Sequence, residues 1–356
     1  MKSERIRYLD IYKGIGIILV VLGHTEMIPE GLKLWLEAFH MPLFFVAAGV
    51  LIGDLKLYER DGISVVRDRM RSILVPYFWF SLIAILWDGV GIFLDPAQYT
   101  MDGMIAKIWD SVSFYGVSVL WFFPAFFIGT AAYQFLRKRL YYSVSVVLLA
   151  ILAAVICGIN GIPDYIAGKD MTVEIFLLQA AYALWRGCVG MFFCAVGEGM
   201  SILIGHYKEK KLPLVLTGAA LVGVGTYAAF KNFELSGTMA SFRFLITGEM
   251  ALFFLAAICL SGGILILCWW INQCSPLEYL GKYSLIIMVT HLDLRVMNIA
   301  KKTGDKIFEL LDHNFVRNIT VFIVILGLEI IMIWLFNGIL GFMVGKKRKK
   351  ITHPNA

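Results

Sequence analysis

Apolar segments of helix length recur from one end of this chain to the other. The sequence is 59% hydrophobic and 16% charged, and its mean hydropathy is +0.77. These values lie far outside the usual range of soluble globular domains. A helix that crosses a bilayer needs about 20 predominantly apolar residues, and runs of that kind repeat along the chain. The sequence therefore predicts an all-α fold, a polytopic integral membrane helical bundle.

The hydropathy pattern predicts about ten transmembrane helices. They are centred near Val20, Phe45, Ile83, Phe126, Leu149, Phe193, Leu221, Leu255, Ile287 and Leu328. The first and ninth are short. The polar connections between the helices are too short to form a hydrophobic core of their own. We therefore expect residues 1–356 to form a single transmembrane domain, in which helices and short loops carry any chemistry.

The distribution of lysine and arginine predicts the orientation. With ten spans both termini lie on the same side, and that side holds about twice as many basic residues as the other. The positive-inside rule then places both termini in the cytoplasm. The net charge of +6 mostly reflects this topology, and no motif for docking nucleic acid is present. We expect the basic cluster at 346–350 to lie against anionic lipid headgroups, so membrane lipids are expected partners.

Two further features bear on processing and on metals. The first span follows basic residues, as in a signal peptide, but His24-Thr-Glu26 comes after it and no small-residue cleavage site does, so we expect it to be retained. The six cysteines lie in or beside apolar spans without the spacing of a metal site. A metal site made from the histidines lacks ligand spacing on any one helix. We predict no metal.

The first span carries ionisable groups at both ends. Lys13 and His24 are eleven residues apart, close to three helical turns, so they share one face and lie about 16 Å apart along the axis. Asp10 lies one turn before Lys13 on nearly the same face. Ionisable groups are expensive in lipid, so this face should be turned toward the protein interior or a wet cavity. The pattern indicates a functional site.

Two more histidines lie in apolar stretches. His40 precedes Pro42 near the end of the second span, and a short loop should bring it to the depth of His24. We expect Pro42 to break a turn inside that span. His291 lies within the ninth span. For each histidine, a simple hydrogen bond between two helices is the structural alternative.

Other polar groups have simpler interpretations. Arg186 should lie near the outer surface, where interfacial anchoring explains it. Glu329 is nearer the middle of a span and must be paired, protonated or beside water. Trp121 begins the fourth span within a Trp-Phe-Phe-Pro sequence, and an aromatic belt at the interface explains a tryptophan there without any function.

Five segments resemble the acyltransferase 3 family, and more narrowly its sugar acetyltransferases related to fucose 4-O-acetylase. They are Leu9 to His24, Phe39-His-Met-Pro-Leu-Phe-Phe-Val-Ala-Ala-Gly49, Arg71-Ser-Ile-Leu-Val-Pro-Tyr77, Leu120-Trp-Phe-Phe-Pro124 and Leu280 to His291. They occur in the family's order and extend over most of the chain. The resemblance implies a bacterial, multi-pass protein of the cytoplasmic membrane with ten or eleven helices.

The resemblance also implies an activity, namely transfer of an acyl group, usually acetyl, from cytoplasmic acetyl-CoA to a hydroxyl of a cell-surface or exported carbohydrate. The expected partners are thus acetyl-CoA as co-substrate and a carbohydrate or glycolipid acceptor. The family's pairing of a basic residue with a histidine maps onto Lys13 and His24, although many relatives have Arg at the first position. A homo-oligomer is compatible with the sequence, which leaves the oligomeric state open.

From this chemistry we assign expected roles to individual residues. His24 would be the general base or would carry the acyl group, supported by His40 and His291. Lys13 and three loop arginines would bind the phosphates of the cofactor, the arginines being Arg67, Arg69 and Arg71. The positive-inside rule alone also explains these arginines. Asp10, Glu26 and Trp121 are expected to bind substrate.

One function of another class fits the same features. A carrier or flippase for a carbohydrate or a lipid-linked precursor would also use intramembrane histidines, glutamates and broken helices. No inverted repeat is visible in the sequence, which counts against it.

Overall fold

The computed structural model describes residues 6–25, 28–159, 162–167, 169–292, 294, 296–311 and 314–346, without the side chains of residues 310, 311, 314 and 315. The chain forms sixteen α-helices in these ranges. They are α1 (Arg7–Gly23), α2 (Glu30–Glu37), α3 (Pro42–Asp54), α4 (Gly62–Arg69), α5 (Val75–Leu94), α6 (Met101–Val112), α7 (Phe122–Arg139), α8 (Tyr142–Cys157), α9 (Ile162–Ile166), α10 (Val173–Tyr207), α11 (Lys211–Ser236), α12 (Met250–Ile271), α13 (Ser275–Lys282), α14 (Ser284–Thr290), α15 (Val296–Leu311) and α16 (Asn314–Asn337).

The predicted all-α membrane bundle is confirmed. Within the described ranges the chain contains no β-strand, and one isolated bridge joins Ser241 to Ile246. Seven helical segments of that part of the chain are long and apolar enough to cross a membrane, and α8 is a shorter apolar helix. Each of the ten predicted span centres lies in a helix. The total of ten spans and the cytoplasmic position of both termini stay predictions.

The second predicted span contains the expected break. Its two helical parts, α2 and α3, are separated by a turn over residues 38–41, and α3 begins at Pro42. Together they form one segment, Glu30–Asp54, that is long and apolar enough to cross a membrane. Proline is favoured at the first position of a helix, because its missing N–H has no helical partner there, so Pro42 starts α3 directly after the broken turn. The consequence is that His40 lies in the turn.

The helix α10 is the central element of the bundle. It runs over 35 residues and packs against α3, α7, α8 and α12. The buried core includes the aromatic side chains of Phe45, Phe193 and Tyr133. Large apolar side chains on the outside of the bundle are exposed, among them Phe93 and Trp334, as expected of a surface that faces lipid.

The N-terminal half of α1 is held against α13 by direct contact between backbones. Gly14 faces the carbonyl of Leu277, and Gly281 faces the carbonyl of Asp10, so a Cβ on either glycine would collide with a backbone atom. Small residues permit this kind of close approach between membrane helices. The packing fixes the turn of α1 that carries Asp10 and Lys13.

A buried ion pair joins α7 to α10. The guanidinium of Arg137 donates to both carboxylate oxygens of Glu198, with the closest contact at 2.7 Å. The hydroxyl of Tyr133 donates to the same carboxylate at 2.6 Å. Breaking a buried pair leaves an uncompensated charge, which is strongly destabilising. This cluster therefore fixes two helices of the bundle relative to each other.

We predict that Gly281→Ala lowers the stability of the protein. The added Cβ meets the carbonyl oxygen of Asp10, which belongs to helix backbone and cannot rotate away. Overpacking of this kind costs about 1–3 kcal/mol. The measurement is the thermal unfolding temperature of the purified protein in detergent.

The matched control is Gly223→Ala on α11, where no other atom lies within 4 Å of the added Cβ. Alanine is favoured over glycine in a helix by roughly 1 kcal/mol, so this variant should unfold at the same or a higher temperature. Equal unfolding temperatures for the two variants would contradict the close contact of α1 with α13.

Candidate functional site

Two cavities lie along α1, one near each end. We name them the Lys13 cavity and the His24 cavity. The Lys13 cavity has a volume of about 510 Å³ and the His24 cavity about 480 Å³. Each is within the range of small-molecule sites. Lys13 and His24, which the sequence places on one helix, therefore line two separate cavities.

The Lys13 cavity has charged groups on one side. Lys13 Nζ lies 2.7 Å from Asp10 Oδ1, one turn earlier on α1, and Arg69 at the end of α4 lines the same cavity. Asp10 is only 5% exposed, so its carboxylate neutralises the lysine at close range. Arg69 leaves the charged part of the cavity with a net positive charge.

The remainder of the Lys13 cavity is apolar. Its lining comes mainly from α1, α3, α7 and α14 and, apart from Ser284, consists of aromatic, aliphatic and methionine side chains. Among them are Phe44, Ala48, Phe122 and Met288. The rings of Phe44 and Phe122 pack edge to face, with their centroids 5.8 Å apart. A cavity that combines cationic groups with an apolar lining suits a ligand that has an anionic head and an uncharged arm.

The structure separates the three arginines that were predicted to bind the cofactor. Arg69 lines the Lys13 cavity, whereas Arg67 and Arg71 line a different surface groove beside Phe78 and Phe135. Residues two apart on a helix point to opposite faces and residues four apart share one. Arg71 Nε also donates to the carbonyl of Gly345 at 2.7 Å. The predicted cofactor role of Arg67 and Arg71 receives no support from their positions.

The His24 cavity brings together predicted residues that are distant in sequence. His24 at the end of α1, His40 in the turn before α3 and Trp121 before α7 all line it. The ring of His24 is exposed and makes no hydrogen bond with any described residue. The ring of His291 lies behind it, with the two centroids 5.3 Å apart.

Hydrogen bonds orient the two supporting histidines. His40 Nδ1 lies 2.7 Å from the carbonyl of Leu36, and His291 Nδ1 lies 2.8 Å from the carbonyl of Ile287. A carbonyl can only accept, so in each neutral ring Nδ1 donates and Nε2 is left as an acceptor. His291 Nε2 is buried and has no hydrogen-bond partner among the described residues. The cluster therefore holds imidazole nitrogens that can accept protons.

The two cavities share a wall. Met288 of α14 lines both of them. Two residues that are adjacent in the chain also lie on either side of this wall, since Trp121 lines the His24 cavity and Phe122 lines the Lys13 cavity. Methionine is flexible and unbranched. The barrier between the spaces is thus a few side chains thick.

Glu329 has the partner that its position within a span requires. The hydroxyl of Thr290 donates to Glu329 Oε2 at 2.6 Å, and both residues are buried. This bond ties α14 to α16 one residue before His291. The sequence left three alternatives for Glu329, namely a partner, protonation or nearby water, and the structure shows a hydrogen-bonding partner. This contact fixes the position of α14, which carries Met288 and ends directly before His291.

Arg186 differs from its predicted role as an interfacial anchor. It is fully buried and its Nε and Nη1 donate to the carbonyls of Arg243 and Tyr115, at 2.7 and 2.8 Å. Its guanidinium lies against the rings of Tyr115 and Tyr182, with centroids 4.6 and 4.7 Å away, and against Trp121 at 5.3 Å. The expectation was wrong because the hydropathy pattern locates depth in the membrane and does not show which helix face turns inward.

Three charged residues of the His24 cavity were missed by sequence reasoning. Arg243 lies in the loop between α11 and α12, and Lys33 and Glu37 lie one turn apart on α2. In the sequence they appear as isolated charges near span ends. The available signal was the placement of Arg243 between Phe242 and Phe244, an unusual setting for a solvent-exposed arginine.

Two predictions concern groups that the structure does not bring into this site. Glu26, which was expected to bind substrate, lies outside the described residues. Asp10, assigned to the same role, lines the Lys13 cavity and pairs with Lys13, away from the histidines.

Among the described residues no group of three or more His, Cys, Asp or Glu side chains is arranged to hold a metal ion.

The described helices thus form two cavities along α1, one lined by Lys13 and Arg69 and the other by histidines. The family model described as an acyltransferase domain matches residues 6–338, and the chain therefore belongs to the acyltransferase 3 family. No curated protein and no solved structure matches it significantly. The resemblance to the acyltransferase 3 family is confirmed, whereas the narrower resemblance to enzymes related to fucose 4-O-acetylase stays a prediction. The match supports the function of a membrane acyltransferase. The match favours an acyltransferase over the carrier.

Proposed function

We propose that the protein transfers an acetyl group from cytoplasmic acetyl-CoA to a hydroxyl of a cell-surface or exported carbohydrate, with His24 as the general base. The observation that carries this proposal is the shared wall of the two cavities at Met288. One cavity combines cationic groups with an apolar lining, and the other is lined by His24 and His40. Donor and acceptor can thus approach from opposite ends of α1.

The donor would occupy the Lys13 cavity. Its phosphates would contact Lys13 and Arg69, because charge-assisted contacts with phosphate are strong. Its uncharged arm would lie along the apolar interior, beside Phe44, Phe122 and Ala48. The thioester would then reach the wall at Met288. Lysine at position 13 binds phosphate as a point charge, whereas the arginine of many relatives can make two parallel contacts.

The acceptor hydroxyl would bind beside His24. A lone pair on the imidazole takes the hydroxyl proton as the oxygen attacks the carbonyl carbon of the thioester. The tetrahedral intermediate collapses when the carbon–sulfur bond breaks, and the proton on His24 passes to the departing thiolate. The products are the acetyl ester and free CoA. An acyl group carried on His24 would give the same products in two steps.

Other residues would support this step without forming or breaking covalent bonds to the substrate. His291 lies behind His24 and His40 lines the same cavity, so both can take part in positioning or proton relay. The aromatic face of Trp121 offers a surface for a sugar ring, and Arg186 holds that face from behind. Asp10 would set the position of Lys13 instead of contacting the acceptor.

The orientation in the membrane fits this division. The positive-inside rule assigns the basic loops, including the segment with Arg69, to the cytoplasm. The Lys13 cavity would then open toward cytoplasmic acetyl-CoA, and the His24 cavity toward the outer surface of a bacterial cytoplasmic membrane. The hydroxyl would be acylated on the outer side, to which the carbohydrate is exported.

We predict that His24→Ala reduces acetyl transfer by roughly 10²–10⁴-fold, the usual contribution of a general base. The measurement is incorporation of radiolabelled acetyl from acetyl-CoA into membrane glycans, in vesicles that contain equal amounts of each variant. Binding of acetyl-CoA should be unchanged, because His24 lines the other cavity.

The matched control for this experiment is His206→Ala. His206 is exposed in the last turn of α10 and lines neither cavity, so its removal should leave transfer at the wild-type rate. Normal transfer by His24→Ala would move the base to another residue. Absence of label in the wild type, together with an altered glycan outside, would support the carrier.

A second prediction separates the arginines. Arg69→Gln should raise the KM for acetyl-CoA by about tenfold to a hundredfold with little change in kcat, since a hydrogen bond to a charged group contributes roughly 1.5–3 kcal/mol. Arg67→Gln, on the same helix but outside the cavity, should leave the KM unchanged. If both variants change the KM equally, a general surface charge attracts the donor and the cavity contact is refuted.

A further inference from the structure

The loop between α11 and α12, residues 237–249, closes one side of the His24 cavity and is held firmly. Ser241 and Ile246 exchange two backbone hydrogen bonds, at 2.8 and 3.0 Å. The side chain of Asn232 donates to the carbonyl of Thr247 and accepts from the N–H of Glu249, both at 2.7 Å. The loop is therefore a fixed part of the cavity wall.

The position of Arg243 is set from behind by two side chains of α10. Arg186 donates to the carbonyl of Arg243 at 2.7 Å, and the hydroxyl of Tyr182 donates to the carbonyl of Phe244. Arg186 is fully buried and Tyr182 is 2% exposed. Two buried donors thus fix the backbone that presents the Arg243 side chain to the cavity.

The guanidinium of Arg243 is short of partners. It lies over the ring of Phe244, 5.1 Å from the centroid, and its Nε atom is buried with no hydrogen-bond partner within the described part of the chain. No described carboxylate lies within ion-pair distance of it, and the carboxylate of Asp110 acts on it from farther away. Burial lowers the pKa of Arg243 from its usual range, so the charge is partly desolvated. Such a group gains most from an anion that it can bind with two parallel N–H donors.

The other charges of the cavity reinforce this preference. Lys33 lines the cavity together with Arg243, and Glu37 contributes the one carboxylate among the described lining residues. The two cations outnumber that single acid. Glu37 repels an anion, but it is a single acid against two cations. The same cavity holds His24, the group that would accept the hydroxyl proton, so it suits an acceptor that has both an anionic group and a hydroxyl.

We infer that the acceptor carries an anionic group, a carboxylate or a phosphate, near the hydroxyl that is acylated, and that Arg243 binds this group with help from Lys33. The inference rests on the proposed function, since it names the chemical class of the acceptor for the same site. Arg243 sets the orientation of the acceptor and takes no part in the bond changes. A neutral sugar would leave the guanidinium without an ion partner and would bind more weakly.

The test measures binding in the absence of acetyl-CoA. The full chain is purified in a neutral detergent, and the affinities of glucuronate, glucose 6-phosphate and glucose are compared by calorimetry. At least one anionic sugar should bind about tenfold or more tightly than glucose, the difference expected for one charge-assisted contact. The two anionic sugars distinguish a carboxylate from a phosphate. Equal affinities for all three, or no binding of either anionic sugar, would overturn the inference.

Variants assign the effect to Arg243. Arg243→Gln should lower the affinity for the preferred anionic sugar by about tenfold to a hundredfold and leave the affinity for glucose unchanged. Arg243→Lys should retain part of the affinity that Arg243→Gln loses. Lys231→Gln is the control, because Lys231 pairs with Glu234 at 2.7 Å and lines neither cavity. Its affinities should equal those of the wild type. A loss in Arg243→Gln that falls on acetyl-CoA instead of the sugar would also overturn the inference.

Failure of this inference and failure of the proposed function give different results. If acetyl transfer depends on His24 but the wild type acylates neutral and anionic sugars equally well, and Arg243→Gln changes neither rate, the function stands and the anionic acceptor is refuted. If anionic sugars bind through Arg243 and no acetyl is transferred, the binding site stands and the acetyl transfer is refuted.

Discussion

The whole structure depends on the rule that a charge within an apolar bundle needs a partner. An unpaired charge at the centre of a membrane helix costs about 2.5–3.5 kcal/mol on insertion scales and more in other estimates. Glu198 meets Arg137, Glu329 meets Thr290, and Arg186 meets two backbone carbonyls. These contacts tie α7 to α10, α14 to α16, and α10 to the loop between α11 and α12. The helices are held where their polar groups meet.

The candidate site contains polar groups without partners. His24 is exposed to a cavity without a hydrogen bond to described residues, and His291 Nε2 and Arg243 Nε are buried without a partner among them. Their neighbours Glu329 and Arg186 each make hydrogen bonds that fix the surrounding helices, and each also keeps one buried polar atom unpaired among the described residues. A rigid frame around unsatisfied polar atoms is what acid–base catalysis and anion binding need, because the binding partner supplies the missing contacts.

The fold could be read from the sequence because hydropathy is a local property, and each predicted span centre lies in a helix. The site could be read only in part. Lys13 and His24 lie on one helix, so their spacing in the sequence was enough to predict that they line a common face. Arg243 reaches the cavity through a loop that α10 holds in place, and the sequence does not show this contact. Arg186 was misjudged because the sequence does not show that its side of α10 faces inward, toward partners that are distant in the chain. The division between Arg67 and Arg69 follows from helix geometry and could have been foreseen.

The central claim is that the acetyl group passes from the Lys13 cavity to the His24 cavity at Met288, and so crosses the bundle. The most direct measurement uses proteoliposomes of uniform orientation, with labelled acetyl-CoA on the side of the basic loops and the carbohydrate acceptor only on the other side. We expect labelled acceptor, although donor and acceptor never share a compartment. Label that appears only when both are supplied on the same side would contradict it.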